Sequence, residues 1–172
     1  MSAATTTTRH IIAGTPVGPV TLVREDDGLT GLYFPGHWTR PDRSAFGPKA
    51  GPGDGFDAAV TQLAEYFEAG RREFDLPLAP HGTEEARAAW RLIARIPYGA
   101  TATYGELAGQ LEKPVTPQEF GWYVGHNPLS ILIPCHRVVG AGGRLTGYAG
   151  GLDRKRHLLE LEGAIPAELT LW

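Results

Sequence analysis

Cysteine is almost absent from the sequence, which has one such residue, Cys135, among its 172 residues. A lone cysteine excludes a disulfide within the chain and excludes every zinc site that needs two or more thiolates from one chain. Cys135 is therefore either a buried structural residue, as free cysteines often are, or a reactive thiol.

Long apolar runs are also missing. Stretches such as Leu129 to Ile133 fall far short of the roughly 18 residues that span a bilayer, so we expect no membrane segment. Residues 1–9 lack a basic region followed by an apolar one. The sequence therefore predicts no secretion signal, and a cytoplasmic location is expected.

Positive charge is scarce as well. The 16 Lys and Arg residues are outnumbered by 19 Asp and Glu residues, which gives a formal net charge of -3. Proteins that bind duplex DNA normally carry a basic face, so the composition gives no support for nucleic-acid binding. An assignment to DNA must rest on a motif.

The first half of the chain contains strand and turn patterns. Between His10 and Phe34, segments rich in Ile, Val, Leu and Thr alternate with Gly and Pro, which predicts a small antiparallel sheet. Residues 38–55 lack apolar periodicity and predict a long loop. A helix is then predicted from Phe56 to Gly70, with an apolar face made of Val60, Leu63, Ala64 and Phe67.

The second half contains helix patterns. Thr83 is a predicted N-cap, and the helix that follows has one apolar face, formed by Ala86, Ala89, Trp90, Ile93 and Ile96. Three further helices are predicted over residues 104–111, 117–124 and 152–161. The first two of these are joined by a short turn and form a helix-turn-helix candidate, although many helical proteins contain such corners without binding DNA.

These patterns together predict an α+β fold with two domains. Residues 1–80 are expected to form a small N-terminal α/β domain with an antiparallel sheet, and residues 76–82, with two prolines, contain the linker. Residues 81–172 are expected to form a mostly helical C-terminal domain that contains the helix-turn-helix.

The neighbours of Cys135 suggest chemistry without proving it. A reactive cysteine attacks as a thiolate, and it needs a base, a cation or a positive helix end nearby. Cys135 follows Pro134 and precedes His136 and Arg137, at the end of an apolar run. This position is unusual for core filling, but these residues alone leave both interpretations of Cys135 open.

A longer motif surrounds this cysteine. Residues 127–140 read NPLSILIPCHRVVG, which resembles the active-site signature of the O6-alkylguanine-DNA alkyltransferases. Further similarity runs through residues 96–99, 103–108 and 145–152. The resemblance covers about residues 82–164, and the N-terminal half follows the family only loosely.

The resemblance implies a catalytic set. Cys135 would be the nucleophile, and His136 would take the thiol proton through a bound water. Glu162 would orient and support the imidazolium, in the manner of a catalytic triad. Tyr104 would donate a proton or hydrogen bond to the leaving guanine.

The resemblance also implies residues that bind the base and the DNA. Asn127 would brace the turn before the cysteine, and backbone carbonyls near Cys135 and Val138 would accept the amino group of the base. The pocket wall over the alkyl group would be Tyr148, Ala149 and Gly150. The helix-turn-helix would bind in the minor groove while the damaged nucleotide rotates out of the stack. The residues assigned to DNA contact are Thr103, Gln118, Trp122, Tyr123, Arg137 and Arg144.

The second helix of the motif departs from the family. Gln118 stands where the family usually has an arginine that enters the duplex, and acidic Glu119 follows it. Trp122 and Tyr123 replace small residues. Three explanations stay open. Gln118 could fill the gap left by the extruded nucleotide while Arg137, Arg144 and the cluster of residues 154–156 attract the DNA backbone. Alternatively, the aromatic pair could wedge into the base step, or the substrate could be something other than ordinary duplex DNA.

These observations predict a single-turnover methylated-DNA-protein-cysteine S-methyltransferase. Its expected partner is double-stranded DNA containing O6-alkylguanine, with O4-alkylthymine as a second candidate lesion and an altered lesion range. A monomer that needs no cofactor is expected. The alternative is a DNA-binding protein that recognises alkyl lesions or senses alkylation without enzymatic activity.

Overall fold

A three-stranded antiparallel sheet opens the computed structural model, which describes residues 7–166. The middle strand pairs with both neighbours, and Leu22 lies opposite Ile11 on one side and Leu32 on the other. The antiparallel sheet predicted for this region is confirmed. Its strands are β1 (Arg9–Ala13), β2 (Val20–Glu25) and β3 (Gly28–Tyr33).

The loop after β3 contains one short 3-10 helix, Arg43–Phe46. The ring of Phe46 is buried and stacks on Tyr33, with centroids 5.3 Å apart. The Trp38 backbone N–H donates to the carbonyl oxygen of Ala149, at 3.2 Å. The loop is therefore fixed against the sheet at one point and against the C-terminal half at another.

The first long helix, α1, spans Asp57–Phe67 and begins one residue later than predicted. Its buried face consists of Ala59, Leu63 and Tyr66, whereas Val60 is 40% exposed and Ala64 is also exposed. The predicted face was wrong at Val60 and Ala64. Burial of the large Tyr66 ring removes more area from water than Val60 and Ala64 would, and this ring sets the rotation of the helix.

The C-terminal half is mostly helical, as predicted. A two-residue parallel pairing between β4 and β5 brings the start of α3 next to the segment that follows Cys135. Such short strands leave no periodic pattern in a sequence, and they were not predicted. The elements are α2 (Glu84–Ala94), β4 (Ala102–Thr103), α3 (Tyr104–Gln110), α4 (Pro117–Gly125), β5 (Val138–Val139) and α5 (Leu152–Leu161).

Three threonines fix the helix starts in this half. The side-chain oxygens of Thr83, Thr103 and Thr116 each accept a hydrogen bond at 3.1 Å from the backbone N–H three residues later. Each bond satisfies one of the N–H groups that a helix start leaves free. The predicted N-cap of α2 is confirmed, and all five residues predicted for the apolar face that begins in this helix are buried.

One hydrophobic core continues through both halves of the chain. The Leu32 N–H in β3 donates to Pro128 O at 2.8 Å, immediately before the loop that leads to Cys135. The division into residues 1–80 and 81–172 stays a prediction. Within residues 7–166, every helix is too short or too polar to cross a lipid bilayer.

Candidate active site

A tight loop holds Cys135, and Asn127 closes it. The Asn127 amide donates to Ile133 O at 2.8 Å, while its carbonyl oxygen accepts from Leu129 N at 2.9 Å. Ile131 within the loop has a φ of 71°, a conformation that β-branched residues rarely adopt and that costs energy. The side chain of Asn127 thus supplies hydrogen bonds across the loop and positions the start of the 3-10 turn formed by residues 135–137.

Cys135 is buried, with 1% of the residue exposed. Burial raises the pKa of this thiol, while a hydrogen bond from Asn127 and the positive charge of Lys155 oppose that rise. The thiol form is therefore favoured in the resting protein, and nucleophilic attack requires a base that removes the proton.

His136 is placed to be that base. Its ring is fully buried, and Nε2–H donates to Glu162 Oε2 at 2.8 Å. A carboxylate only accepts, so the ring proton lies on Nε2 and the lone pair lies on Nδ1. In the part of the chain that the structure describes, Nδ1 has no hydrogen-bond partner. Burial lowers the pKa of His136, so the imidazole is kept neutral and able to accept a proton.

Glu162 is the centre of a buried network. The Arg137 guanidinium donates to both carboxylate oxygens, from Nε at 2.8 Å and from Nη2 at 2.9 Å. The Tyr66 hydroxyl from α1 donates to Oε2 at 2.6 Å. Burial alone would raise the pKa of Glu162, but hydrogen bonds from His136, Arg137 and Tyr66 lower that pKa to about 2. The carboxylate is thus ionised and held in one orientation.

Arg137 was predicted to contact DNA, and the structure contradicts this. The guanidinium is buried, donates from Nη1 to Ile96 O at 2.7 Å and lies 5.7 Å from the centre of the Tyr98 ring. A buried guanidinium that is bonded to Glu162 cannot reach a phosphate without leaving that buried carboxylate without its cationic partner, which is costly. Arg137 belongs to the network around Glu162.

A cleft of about 620 Å³ opens beside this network. Tyr104 and Tyr148 line this cleft, but Cys135 does not. A thiolate at Cys135 is nevertheless close enough to both tyrosines to raise their pKa values. The sulfur therefore lies behind the cleft wall in the resting structure. The lining residues are Trp38, Tyr104, Pro117, Gln118, Gly121, Val124, Gly125, Thr146, Gly147, Tyr148 and Ala149.

The two tyrosines of the cleft are both proton donors at neutral pH. Burial raises the pKa of Tyr104 and raises that of Tyr148 further. The Thr146 hydroxyl donates to Tyr104 Oη at 3.4 Å. Within residues 7–166, the buried hydroxyls of Tyr148 and Ser130 have no hydrogen-bond partner, and buried polar groups of that kind usually await a ligand or a water.

The predicted pocket wall is only partly formed as expected. Tyr148 and Ala149 line the cleft. Gly150 does not, because it packs against Phe34 so closely that a Cβ would lie 2.5 Å from the ring. Gly150 is therefore needed for close packing between the two halves of the chain.

One of the three open explanations for α4 gave Lys155 a share in attracting the DNA backbone, but this residue is fully buried. Its Nζ donates to Val138 O at 2.6 Å and to Thr146 O at 2.7 Å. Burial lowers the pKa of Lys155 to about 8. That part of the explanation does not hold, since the Lys155 cation instead joins β5 to residues 146–147. A base amino group at Val138 O would have to use the second lone pair of that carbonyl.

Its neighbour Arg154 is also engaged within the protein. The Arg154 guanidinium donates from Nε to Val17 O at 2.8 Å and lies 5.0 Å from the centre of the Phe34 ring. These contacts join α5 to the N-terminal half. Two members of the basic cluster at residues 154–156 are therefore structural, which leaves less positive charge for DNA than expected.

Four of the residues predicted for DNA contact belong to the helix-turn-helix, and Arg144 lies after β5. Gln118 and Arg144 are exposed, and Thr103 caps α3. Trp122 is 56% exposed, whereas Tyr123 is half-buried and its carbonyl accepts from the Trp90 indole at 2.9 Å. The predicted aromatic pair is thus divided into a surface residue and a packing residue.

Sequence reasoning missed Tyr66, Trp38 and the buried position of Lys155. Tyr66 and Trp38 come from the N-terminal half, outside every quoted motif, and no local pattern indicates that they reach the site. Among residues 7–166, no group of three or more His, Cys, Asp or Glu side chains is arranged to hold a metal ion.

The fold and the site define a class of protein: a mixed α+β chain in which a helix-turn-helix borders a cleft backed by a buried cysteine, histidine and glutamate. Two family models match it, described as the ribonuclease-like domain (residues 9–80) and the DNA binding domain (residues 84–164) of 6-O-methylguanine DNA methyltransferase. The chain belongs to the 6-O-methylguanine DNA methyltransferase family.

Individual relatives agree with this assignment. A methylated-DNA--protein-cysteine methyltransferase of Mycobacterium tuberculosis is 44% identical over 158 residues, which cover 91% of this chain and 94% of the relative. One from Methanosarcina acetivorans is 38% identical over 90% of this chain and 98% of the relative. The crystal structure of Mycobacterium tuberculosis OGT in complex with DNA aligns with a TM-score of 0.83 at 42% identity, covering 90% of this chain and 92% of that chain.

Proposed function

We propose that this protein repairs alkylated DNA by moving the alkyl group from O6 of a guanine in double-stranded DNA to the sulfur of Cys135, once per molecule. The observation that carries the proposal is the neutral, buried His136 beside the only cysteine, with Nε2 bound to Glu162 and Nδ1 free. The names of the relatives, methylated-DNA--protein-cysteine methyltransferase, support the same activity.

The transfer begins at the thiol. His136 Nδ1 takes the proton of Cys135 through a bridging water, and Glu162 stabilises the imidazolium that forms. The thiolate then attacks the alkyl carbon, so that a C–S bond forms while the C–O6 bond breaks and its electron pair leaves with the guanine. The thioether is stable, and the chain has no second cysteine to resolve it.

Tyr104 assists the departure of the guanine. Its hydroxyl stays protonated because burial raises its pKa, so it can donate to the purine as negative charge develops on the ring. Tyr148 and Ala149 line the space that the alkyl group enters. Asn127 acts indirectly by fixing the loop that holds the cysteine.

Access to the sulfur requires a movement. Cys135 is sealed behind a wall that contains Tyr148, and the segment at residues 146–149 is the part of the wall nearest to Lys155. Entry of an extruded purine would displace this segment. The binding energy of the purine would offset the cost of moving this segment. The base brings hydrogen-bond partners for the hydroxyls of Ser130 and Tyr148, which have none within residues 7–166.

The surface of α4 suggests an altered lesion range. Gln118 at the cleft edge can hydrogen bond to a base but carries no charge. The other proposed DNA contacts are Trp122 and Tyr123, which line the depression next to the cleft, together with Thr103 and Arg144. Binding would depend less on phosphate neutralisation than in a basic recognition helix. O6-alkylguanine is the proposed main lesion, and O4-alkylthymine is a second substrate to test. The protein is proposed to act as a monomer without a cofactor.

Mass spectrometry tests this function. After the protein is mixed with a duplex containing O6-methylguanine, one methyl adduct per chain is expected, and tandem fragmentation should place it on Cys135. Cys135→Ser should give no adduct while still shifting the duplex in a gel. A wild-type protein that shifts the duplex but keeps its original mass would refute alkyl transfer and favour a lesion-binding or alkylation-sensing protein.

A further inference from the structure

An aromatic surface borders the outer side of the cleft, away from the catalytic network. Trp38, in the loop after β3, is 54% exposed, and Trp122, on α4, is 56% exposed. His126 lies between them: its ring stacks on Trp122 with centroids 3.8 Å apart and a tilt of 16°, and it meets Trp38 edge-on at 5.3 Å. Trp38, His126 and Trp122 are called the aromatic rim below.

The aromatic rim is held in place by specific contacts. His126 Nδ1–H donates to Trp122 O at 2.7 Å, which fixes the imidazole under the indole. The Trp38 backbone is bonded to Ala149 O at 3.2 Å. Gly125 makes room for the Trp38 ring, since a Cβ there would lie 2.7 Å from it. These contacts fix two large apolar rings at the surface, where indoles ordinarily lose the benefit of burial.

The position of the rim connects it to the cleft. Trp38 lines the same cleft as Tyr104 and Tyr148. Gln118 lines both this cleft and a neighbouring depression that also contains Trp122 and Glu119. The rim therefore continues the surface that the proposed substrate must cross.

The chemistry of the rim selects its partner. Beside the rim, α4 exposes Gln118 and Glu119 and carries no Lys or Arg, so a phosphate over this helix would meet a carboxylate and no cation from α4. Exposed indole faces instead suit a flat, polarisable and uncharged group. Nucleobases stack on aromatic side chains in this way whatever their sequence.

We propose that the aromatic rim stacks on an unstacked nucleobase beside the lesion, which makes Trp38 a DNA-contact residue supplied by the N-terminal half. This inference rests on the proposed function. Stacking replaces the charged contact that α4 lacks. One base stacked on an aromatic side chain corresponds to roughly a 5- to 150-fold change in affinity or second-order rate constant.

The test compares two substrates for alkyl transfer to Cys135: a duplex containing O6-methylguanine and the free base O6-methylguanine. Trp38→Ala and Trp122→Ala should each slow transfer from the duplex by at least about fivefold, because only the duplex carries a base for the rim. Trp122 lies outside the cleft, so Trp122→Ala should leave the free-base rate within about twofold, whereas Trp38 lines the cleft, so Trp38→Ala should slow the duplex reaction at least about fivefold more than the free-base reaction. Trp38→Phe and Trp122→Phe should retain most of the duplex rate. Ile12→Ala, which trims an exposed apolar residue of β1, is the matched control and should resemble wild type.

Tryptophan fluorescence gives a second measurement that does not depend on the alanine variants folding. Binding of the lesion duplex to the Cys135→Ser protein should quench indole emission, and the quenching should shrink when Trp38→Phe or Trp122→Phe is added. Trp90 is buried and should contribute little.

The outcomes separate the inference from the function on which it rests. Unchanged duplex rates in both alanine variants, or quenching that neither phenylalanine variant reduces, would overturn the aromatic rim while alkyl transfer still stands. If Trp38→Ala lowers the transfer rate equally on the duplex and on the free base, Trp38 only anchors its loop. That result would also overturn the aromatic rim. A wild-type protein that forms no adduct with either substrate would refute the proposed function itself.

Discussion

Replacing Tyr66 by phenylalanine isolates the contribution of the N-terminal half to the catalytic network. The change removes the hydroxyl that donates to Glu162 Oε2 at 2.6 Å, and it keeps the ring, which packs against Phe67 and Phe74 at centroid distances of 5.1 Å and 5.4 Å. The loss of a buried hydrogen bond to a charged group costs about 1.5 to 3 kcal/mol of unfolding free energy. For a chain of this size, that is roughly 3–12 °C in melting temperature.

The same change should alter the pH dependence of alkyl transfer. With one donor fewer, the charge of Glu162 is less neutralised and stabilises the imidazolium of His136 more strongly. The pKa of His136 should therefore rise, so the fall in transfer rate on acidification should begin at a higher pH, by up to about one unit, because one unit corresponds to 1.36 kcal/mol.

Tyr98→Phe is the matched control for this substitution. It removes a hydroxyl that donates to the neutral Leu161 carbonyl at 3.3 Å, so it should cost about 0.5 to 1.5 kcal/mol and leave the pH profile in place. Urea denaturation and single-turnover rates between about pH 5 and 8 measure both effects, since histidine titrates in that range. A Tyr66→Phe protein with wild-type stability and an unshifted pH profile would refute the coupling between Tyr66 and the catalytic network.

Three further predictions concern other parts of the site. The pKa of Glu162 is lowered to about 2 in the folded protein, so the ionised carboxylate stabilises the fold fully above the pKa of the unfolded chain, about 4.5. This stabilisation, about 3 kcal/mol, is lost as pH falls from about 4.5 towards 2. Urea titrations across that range should show the loss, and a Glu162→Gln protein with the same acid dependence would contradict it. Lys155→Met should slow transfer at neutral pH and recover partly at higher pH, because the cation that opposes the raised pKa of Cys135 is gone; the exposed Lys113→Met is the control, and equal rates in the two variants would exclude this role. Gln118→Arg should tighten duplex binding and steepen its salt dependence by about one ion, as one added phosphate contact does; Gln110→Arg adds the same charge at the end of α3, and if it has an equal effect, position 118 does not face the duplex.

The helices were predictable because their causes are local. Thr83 caps α2, and the apolar spacing that follows it in the sequence matches the buried face. α4 and α5 likewise lie within one residue of their predicted bounds. A cap and a periodic stripe are both contained within a few neighbouring residues, so they can be recognised without knowledge of the fold.

The buried cations were mispredicted for the opposite reason. Arg137 and Lys155 were considered for attraction to the DNA backbone because both are cationic, although lysine and arginine can be buried when a partner is available. Their partners are Glu162 and the carbonyls of residues 138, 146 and 147, which come together only in the folded chain. Tyr66 is 96 positions from Glu162 in the sequence, and its role could not be predicted for the same reason.

The tight enclosure of Cys135 has a consequence for the molecule after it has acted. A methyl group retained on Cys135, a residue that is 1% exposed, adds volume to a closely packed interior. Overfilling a packed interior typically destabilises a protein by about 1 to 3 kcal/mol. The methylated protein would therefore unfold more readily than the unmodified protein, so a denaturation measurement would distinguish molecules that have reacted from those that have not.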